Sequence, residues 1–164
     1  TEGVWDRLAD GATVVNIASI AGNNWRKRRG PILELLATKD FAAGLAWWQA
    51  NAKATGIDAY TFSKEAVVVY TMQLAGKGLP RKIRVNDVGP GPIDTPIFPD
   101  FERDVGKEMM DQYVAMVGRV GQPNDIAEAV VVLAEGQISW LNGQHIVVDG
   151  GLTAAFSAGT KKSK

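Results

Sequence analysis

Short apolar runs alternate along this chain with longer stretches in which apolar residues recur every three or four positions. Residues 12–18 (Ala-Thr-Val-Val-Asn-Ile-Ala), 82–88 (Lys-Ile-Arg-Val-Asn-Asp-Val) and 144–148 (Gln-His-Ile-Val-Val) read as three strands. Residues 2–10 read as a short helix ending at Gly11, and 20–30 as loop. Over 31–53, Ile32, Leu35 and Leu36 share one face, and Leu45, Trp48 and Ala52 repeat at helical spacing. Asp40 and Gly44 divide this stretch into two helices. The strongest helical pattern spans 57–76, with Ala66, Val69, Tyr70 and Gln73 on successive turns. The Gly76-Lys77-Gly78-Leu79-Pro80 cluster ends it. A proline- and glycine-rich loop over 89–99 leads to an amphipathic helix over 101–117. Pro123 then opens a helix to about 135.

Strands alternating with helices predict parallel βαβ units in one domain, with no interior linker and no repeat. The predicted fold class is α/β, a Rossmann-like doubly wound parallel sheet. Only three strands are visible, where such sheets have about six. The segment 157–164 is small and basic and reads as a flexible tail.

Composition narrows the function more by exclusion than by indication. The 164 residues are 46% hydrophobic and 22% charged, with Lys+Arg and Asp+Glu balanced at 18 each. No net field argues for nucleic acid or for an anionic membrane surface. With no cysteine and one histidine, thiolate chemistry and Cys- or His-cluster metal sites are excluded. No apolar stretch approaches the about 20 residues of a membrane span, and no signal peptide opens the chain, so the default compartment is the cytoplasm.

The chemistry centres on Tyr60-Thr61-Phe62-Ser63-Lys64. Tyr60 and Lys64 are i and i+4 on a helix, on one face and about 6 Å apart along the axis. A tyrosine titrates at about 10, so neutral-pH acid–base work needs its phenolate favoured by about 4 kcal/mol. A nearby ammonium acts in that direction, and an oxidised nicotinamide would add to it. Alone, such a pair also fits an ordinary helix surface. Ser19 stands where the first strand ends, at the edge where open α/β sheets place their sites; alone, it could equally cap the strand end.

Five signatures stand in order: Val15-Asn16-Ile17-Ala18-Ser19, Tyr60-x-x-x-Lys64, Arg84-Val85-Asn86 through Pro90-Gly91 to Thr95, Gly118-Arg119-x-Gly121-x-Pro123-x-Asp125-Ile126-Ala127, and Asp149-Gly150-Gly151. Together they resemble the short-chain dehydrogenase/reductase family over about residues 10–152. The resemblance implies an NAD(P)-dependent oxidoreductase interconverting a secondary alcohol and a ketone. It implies Tyr60 as general acid/base and Lys64 as the group that lowers the Tyr60 pKa and binds the nicotinamide ribose. Ser19 would hydrogen-bond the substrate oxygen, and Pro90, Gly91, Ile93 and Thr95 would line the nicotinamide. The implied cofactor is NAD or NADP, and the implied partners are a small-molecule alcohol or ketone and, in a homo-oligomer, other copies of the chain.

Two departures qualify this. Ser19 and Tyr60 lie 41 positions apart, where most of the family has about a dozen. A helical insert over 31–54 accounts for the difference and resembles the bacterial 3α-hydroxysteroid dehydrogenase/carbonyl reductase branch, pointing to a hydroxysteroid substrate and an altered dimer. Second, the glycine-rich turn that cradles the pyrophosphate at a helix N-terminus has no match: Gly76-x-Gly78 follows a helix, and Ile20-Ala21-Gly22 has one glycine. The chain therefore reads as the C-terminal half of a family member, with the first strand left as an apolar edge. The alternative function is a catalytically incompetent fragment that persists through self-association or a partner.

Several other residues carry blander expectations. Asn86 and Asp149 should fix turns by side-chain-to-backbone bonds. His145 should be packed or at the surface, and Arg26 to Arg29 a solvated loop. Of Trp47 and Trp48, one should be core and the other exposed or at an interface. Met109, Met110 and Met116 fit either a lid over an apolar substrate or ordinary amphipathic packing.

Overall fold

The structure, a computed structural model, describes residues 2–159. Three parallel strands form one sheet in the order β1-β2-β3: β1 Thr13–Ile17, β2 Arg84–Pro90 and β3 His145–Val148. Thr13 to Ile17 align with Arg84 to Val88, and Asp87 to Pro90 with His145 to Val148. β2 is central, and Val85 through Gly89 are all buried, as a parallel strand covered on both faces requires.

Side-chain alternation separates the two faces. Val85 joins Trp5, Leu74, Ala75 and Ile83 in a core on one side. Leu74 and Ala75 belong to α3 (Ala59–Gly78), so α3 covers that face. Arg84 points the other way, to the carbonyl of Leu133 in α6 (Pro123–Ala134), and α6 covers the opposite face. The fold class matches the expectation: layered α/β, parallel, with strand ends at most two residues from the expected bounds.

Between β1 and α3 the chain forms a 3-10 helix, Ile20–Arg28, then α1 (Arg29–Leu36) and α2 (Phe41–Thr55). The 3-10 segment corrects the loop expected over 20–30. Its three-residue turns leave no 3.6-residue signature, but Ser19 starts it by accepting the Ala21 N–H at 3.2 Å. The two-helix division at Asp40 holds, because the Asp40 carboxylate accepts the Ala43 N–H at 2.8 Å as the cap of α2. Trp47 and Trp48 correct a second expectation. Both are half-buried against Phe62, with ring centroids 5.7 and 5.1 Å away, so neither is the exposed partner.

The helix expected over 101–117 is two: α4 (Phe98–Val105) and α5 (Lys107–Val117). Gly106 breaks it at φ 91°, a backbone only glycine adopts cheaply. Met110 is buried while Met109 is exposed, which is the amphipathic alternative for this stretch. A further helix, α7 (Leu152–Ser157), has no counterpart in the sequence pattern. Asp149 turns the chain into it by accepting the Gly151 and Thr153 N–H groups at 2.9 and 2.7 Å. Of the expected flexible tail, 160–164 lie outside the described residues.

Candidate active site

The first two turns of α3 present Tyr60 and Lys64. Asp58 caps the helix, with Oδ1 accepting the Thr61 N–H at 2.8 Å and Oδ2 the Thr61 hydroxyl at 2.6 Å. Burial works to raise the Asp58 pKa, but the bonds from Thr61 outweigh it and the carboxyl sits below its usual range. Ser63 donates to the Tyr60 carbonyl at 2.7 Å. Tyr60 is 39% exposed, so its ring stands where a ligand can reach it. It meets Phe101 of α4 edge-on at 5.2 Å, a contact that no sequence pattern announces.

The Lys64 ammonium lies 5.7 Å from the centre of the Tyr60 ring. It donates to the carbonyl of Ile17 at 3.2 Å, two residues before Ser19. Half-burial pushes the Lys64 pKa down. Ser19 itself is 8% exposed. Its cap bond uses Oγ as acceptor, which leaves the hydroxyl proton for a second partner. The 3-10 segment is pinned to α3 by Gly22, where a Cβ would lie 2.9 Å from Val68 and 3.0 Å from the Lys64 carbonyl. It is pinned again by Arg28, which corrects the solvated reading of that cluster. The Arg28 guanidinium is bidentate on the fully buried Glu65, with Nε to Oε2 at 2.6 Å and the second bond from Nη2 to Oε1.

The proline-glycine loop follows β2 at the same sheet edge. The Gly91 N–H donates to the Val148 carbonyl at 3.1 Å, and a Cβ at Gly91 would lie 2.7 Å from that of Asp149. The loop cannot bear a side chain at that position without moving. Ile93 pairs with Gly121 through a parallel bridge, and the Thr95 hydroxyl lies 3.5 Å from the Ile93 carbonyl. Pro90, Gly91, Ile93 and Thr95 are thus gathered at the carboxyl edge of the strands, the edge that Ser19 and Lys64 also occupy. A cavity of about 380 Å³ lies beside this loop, lined by Ile93, Tyr113, Val148 and Asp149 among others. Ser19, Tyr60 and Lys64 are not in its walls. Asn86 behaves as expected, fixing the turn before β3 by bonding the Leu141 carbonyl and the Gln144 N–H.

A family model described as Enoyl-(Acyl carrier protein) reductase matches residues 35–153. The chain belongs to the short-chain dehydrogenase/reductase family. Within this family, it is 31% identical over 157 residues to the coniferyl-alcohol dehydrogenase of Pseudomonas sp. (strain HR199 / DSM 7063). That match covers 95% of this chain and 61% of the other protein. A short chain dehydrogenase family protein from Francisella tularensis subsp. tularensis SCHU S4 superposes with a TM-score of 0.60 at 24% identity. It covers 93% of this chain and 55% of that one. A candidate 2-deoxy-D-gluconate 3-dehydrogenase from Agrobacterium tumefaciens, solved with bound NADP, gives 0.58 at 25% identity, over 87% and 46%. The chain therefore spans about three fifths of the dehydrogenase it aligns with from end to end.

Proposed function

We propose that the protein is an NAD(P)-dependent oxidoreductase that interconverts a secondary alcohol and a ketone. The observation that carries this reading is the Lys64 ammonium, placed between the Tyr60 ring and the backbone leading to Ser19. Tyr60 holds or takes one proton at its phenolic oxygen. Lys64 favours the phenolate by its charge and offers its remaining N–H groups to a ribose hydroxyl. Ser19 donates its hydroxyl proton to the substrate oxygen. NAD or NADP, when bound, supplies or accepts the hydride. The donor set fits such a cofactor, with Tyr60 and Lys64 on one side and the Pro90, Gly91, Ile93 and Thr95 loop on the other. An alcohol as substrate agrees with the name of the Pseudomonas relative, a coniferyl-alcohol dehydrogenase. The long Ser19–Tyr60 spacing and the helical insert over 31–54 favour a hydroxysteroid. We place the enzyme in the cytoplasm as a homo-oligomer of single-domain subunits.

Replacing Tyr60 by Phe tests this. Turnover falls by about 10²–10⁴, the usual worth of a positioned acid/base, while NADH and NADPH affinity persists. Unchanged turnover rejects the role of Tyr60. A second reading, a catalytically incompetent fragment sustained by self-association or a partner, is favoured by β1, which among the described residues has a strand on one side only. Fluorescence titration with NADH and NADPH separates the two. Micromolar binding supports the enzyme; no binding up to millimolar supports the fragment.

A further inference from the structure

The lone histidine is neither idle nor simply packed. Asp87 and His145 face each other in the β2–β3 register, on the face that α3 covers. Asp87 is fully buried and its Oδ1 bonds His145 Nδ1, while its Oδ2 has no partner among the described residues. The far ring nitrogen, Nε2, lies 2.8 Å from Oδ1 of Asn23, four residues past Ser19. The ring also rests on Gly89. A Cβ there would lie 2.5 Å from His145 Cε1 and 3.3 Å from the Ser19 carbonyl oxygen. So the imidazole fills the space a side chain at Gly89 would take, directly behind the backbone of Ser19. A ring with N–H on both nitrogens satisfies both oxygens, and a singly protonated ring does so once the Asn23 amide is turned over. In either state it bridges the sheet to the turn that holds Ser19.

We propose that His145, seated on Asp87 and reaching Asn23, is a positioning residue that fixes the Ser19 turn against the sheet. The inference rests on the reading of Ser19 as the hydroxyl that binds the substrate oxygen. A buried carboxylate is costly unless it is paired and hydrogen-bonded, and the His145 ring is the partner of Asp87 Oδ1. Here that partner is the only link from β2 and β3 to the 3-10 segment through side chains among the bonds described.

The test uses the full chain, with amide hydrogen exchange and steady-state kinetics read on the same samples. The Ala21 and Gly22 N–H groups bond Ser19 Oγ and the Ser19 carbonyl, and their exchange reports the turn directly. In His145→Phe, exchange at these two amides is expected to rise about tenfold, the worth of one lost hydrogen bond. Amides of α6 stay unchanged. The turnover number falls by a similar factor at unchanged NADPH affinity, and His145→Gln, which keeps a polar link, recovers part of it. If His145→Phe does not fold, Asn23→Ala cuts the same link from the other end and carries the same expectation. Wild-type exchange at Ala21 and Gly22 in a folded variant overturns the proposal. If wild type and Tyr60→Phe are equally inert, the enzymatic reading fails instead, and exchange still decides whether His145 holds the turn.

Discussion

The Arg28–Glu65 pair is the sharpest place to test the energetics, because it joins the segment after Ser19 to the helix that carries Tyr60 and Lys64. Glu65 has no side-chain exposure and Arg28 keeps 17%. The hydrogen bond to Glu65, with the attraction of its charge, holds the Arg28 pKa above its usual value despite burial. Replacing Arg28 by Met leaves a buried carboxylate without its two charged donors. Removing one member of a buried pair costs about 3–5 kcal/mol, and partial water access at Arg28 places this case at about 3. For a chain of this size each kcal/mol lowers the melting temperature by about 2–4 °C, so a drop of about 6–12 °C is expected. The double variant Arg28→Met with Glu65→Met removes the stranded charge and should recover most of the loss, since an apolar pair of similar volume is about neutral. Asp100→Asn breaks the exposed Arg103–Asp100 pair, with 72% and 58% side-chain exposure, and serves as the control at about 0–1 kcal/mol. Urea unfolding with a shared m-value measures all four proteins. An Arg28→Met loss no larger than the control refutes the claim that the pair clamps these elements together.

Three further outcomes follow from the geometry. Asp58→Ala should cost about 1 kcal/mol by removing the cap of α3. Because the folded Asp58 pKa is lowered, its contribution is present above the unfolded value of about 4 and fades as the pH falls below it, so the wild-type advantage in urea midpoint should vanish in acid. Gly91→Ala should cost about 1–3 kcal/mol, since the loop must move away from Asp149; a wild-type urea midpoint would show that the approach is not tight. The hydrogen bond from Arg119, with that from Gln122, lowers the Asp125 carboxyl to about 2. Asp125→Asn should therefore lower the melting temperature at pH 7, where the folded carboxylate is favoured. The difference should shrink as the pH falls from about 4 through about 2, and scanning calorimetry across that range checks it.

Much of this architecture is legible in residue order, and the reasons differ by element. β2 announces itself through Ile83, Val85 and Val88, set between the Gly76–Pro80 cluster and the proline-glycine loop, and α3 through the clear period of Ala66, Val69, Tyr70 and Gln73 that the same cluster closes. Tyr60 and Lys64 are legible because one helix sets their separation. The 3-10 segment is not, since its polar residues carry no period and its turns depend on Ser19 and on Gly22 fitting against α3. Arg28 looks like one of four solvated cations until α3 turns Glu65 toward it. The Asp87–His145–Asn23 chain is hidden for a related reason. Its members are 58 and 122 positions apart in the pairs that bond, and only the register of two parallel strands brings them together. Phe101 meets Tyr60 from α4, whose end at Gly106 interrupts what the residue pattern presents as one helix over 101–117.

The bond from Lys64 to Ile17 has a consequence for assembly. In β1 the Ala12 carbonyl and the Ala18 N–H point to β2, so by alternation the carbonyls of Thr13, Val15 and Ile17 point outward. Lys64 already occupies the last of these. A strand adding to that margin could zip along Thr13 and Val15 but would have to compete with the ammonium to advance further. Lys64 would thus stop such a ladder at Ile17. Anything that extends the sheet past it would draw the lysine away from Tyr60, coupling quaternary growth to the charge on which the tyrosine depends.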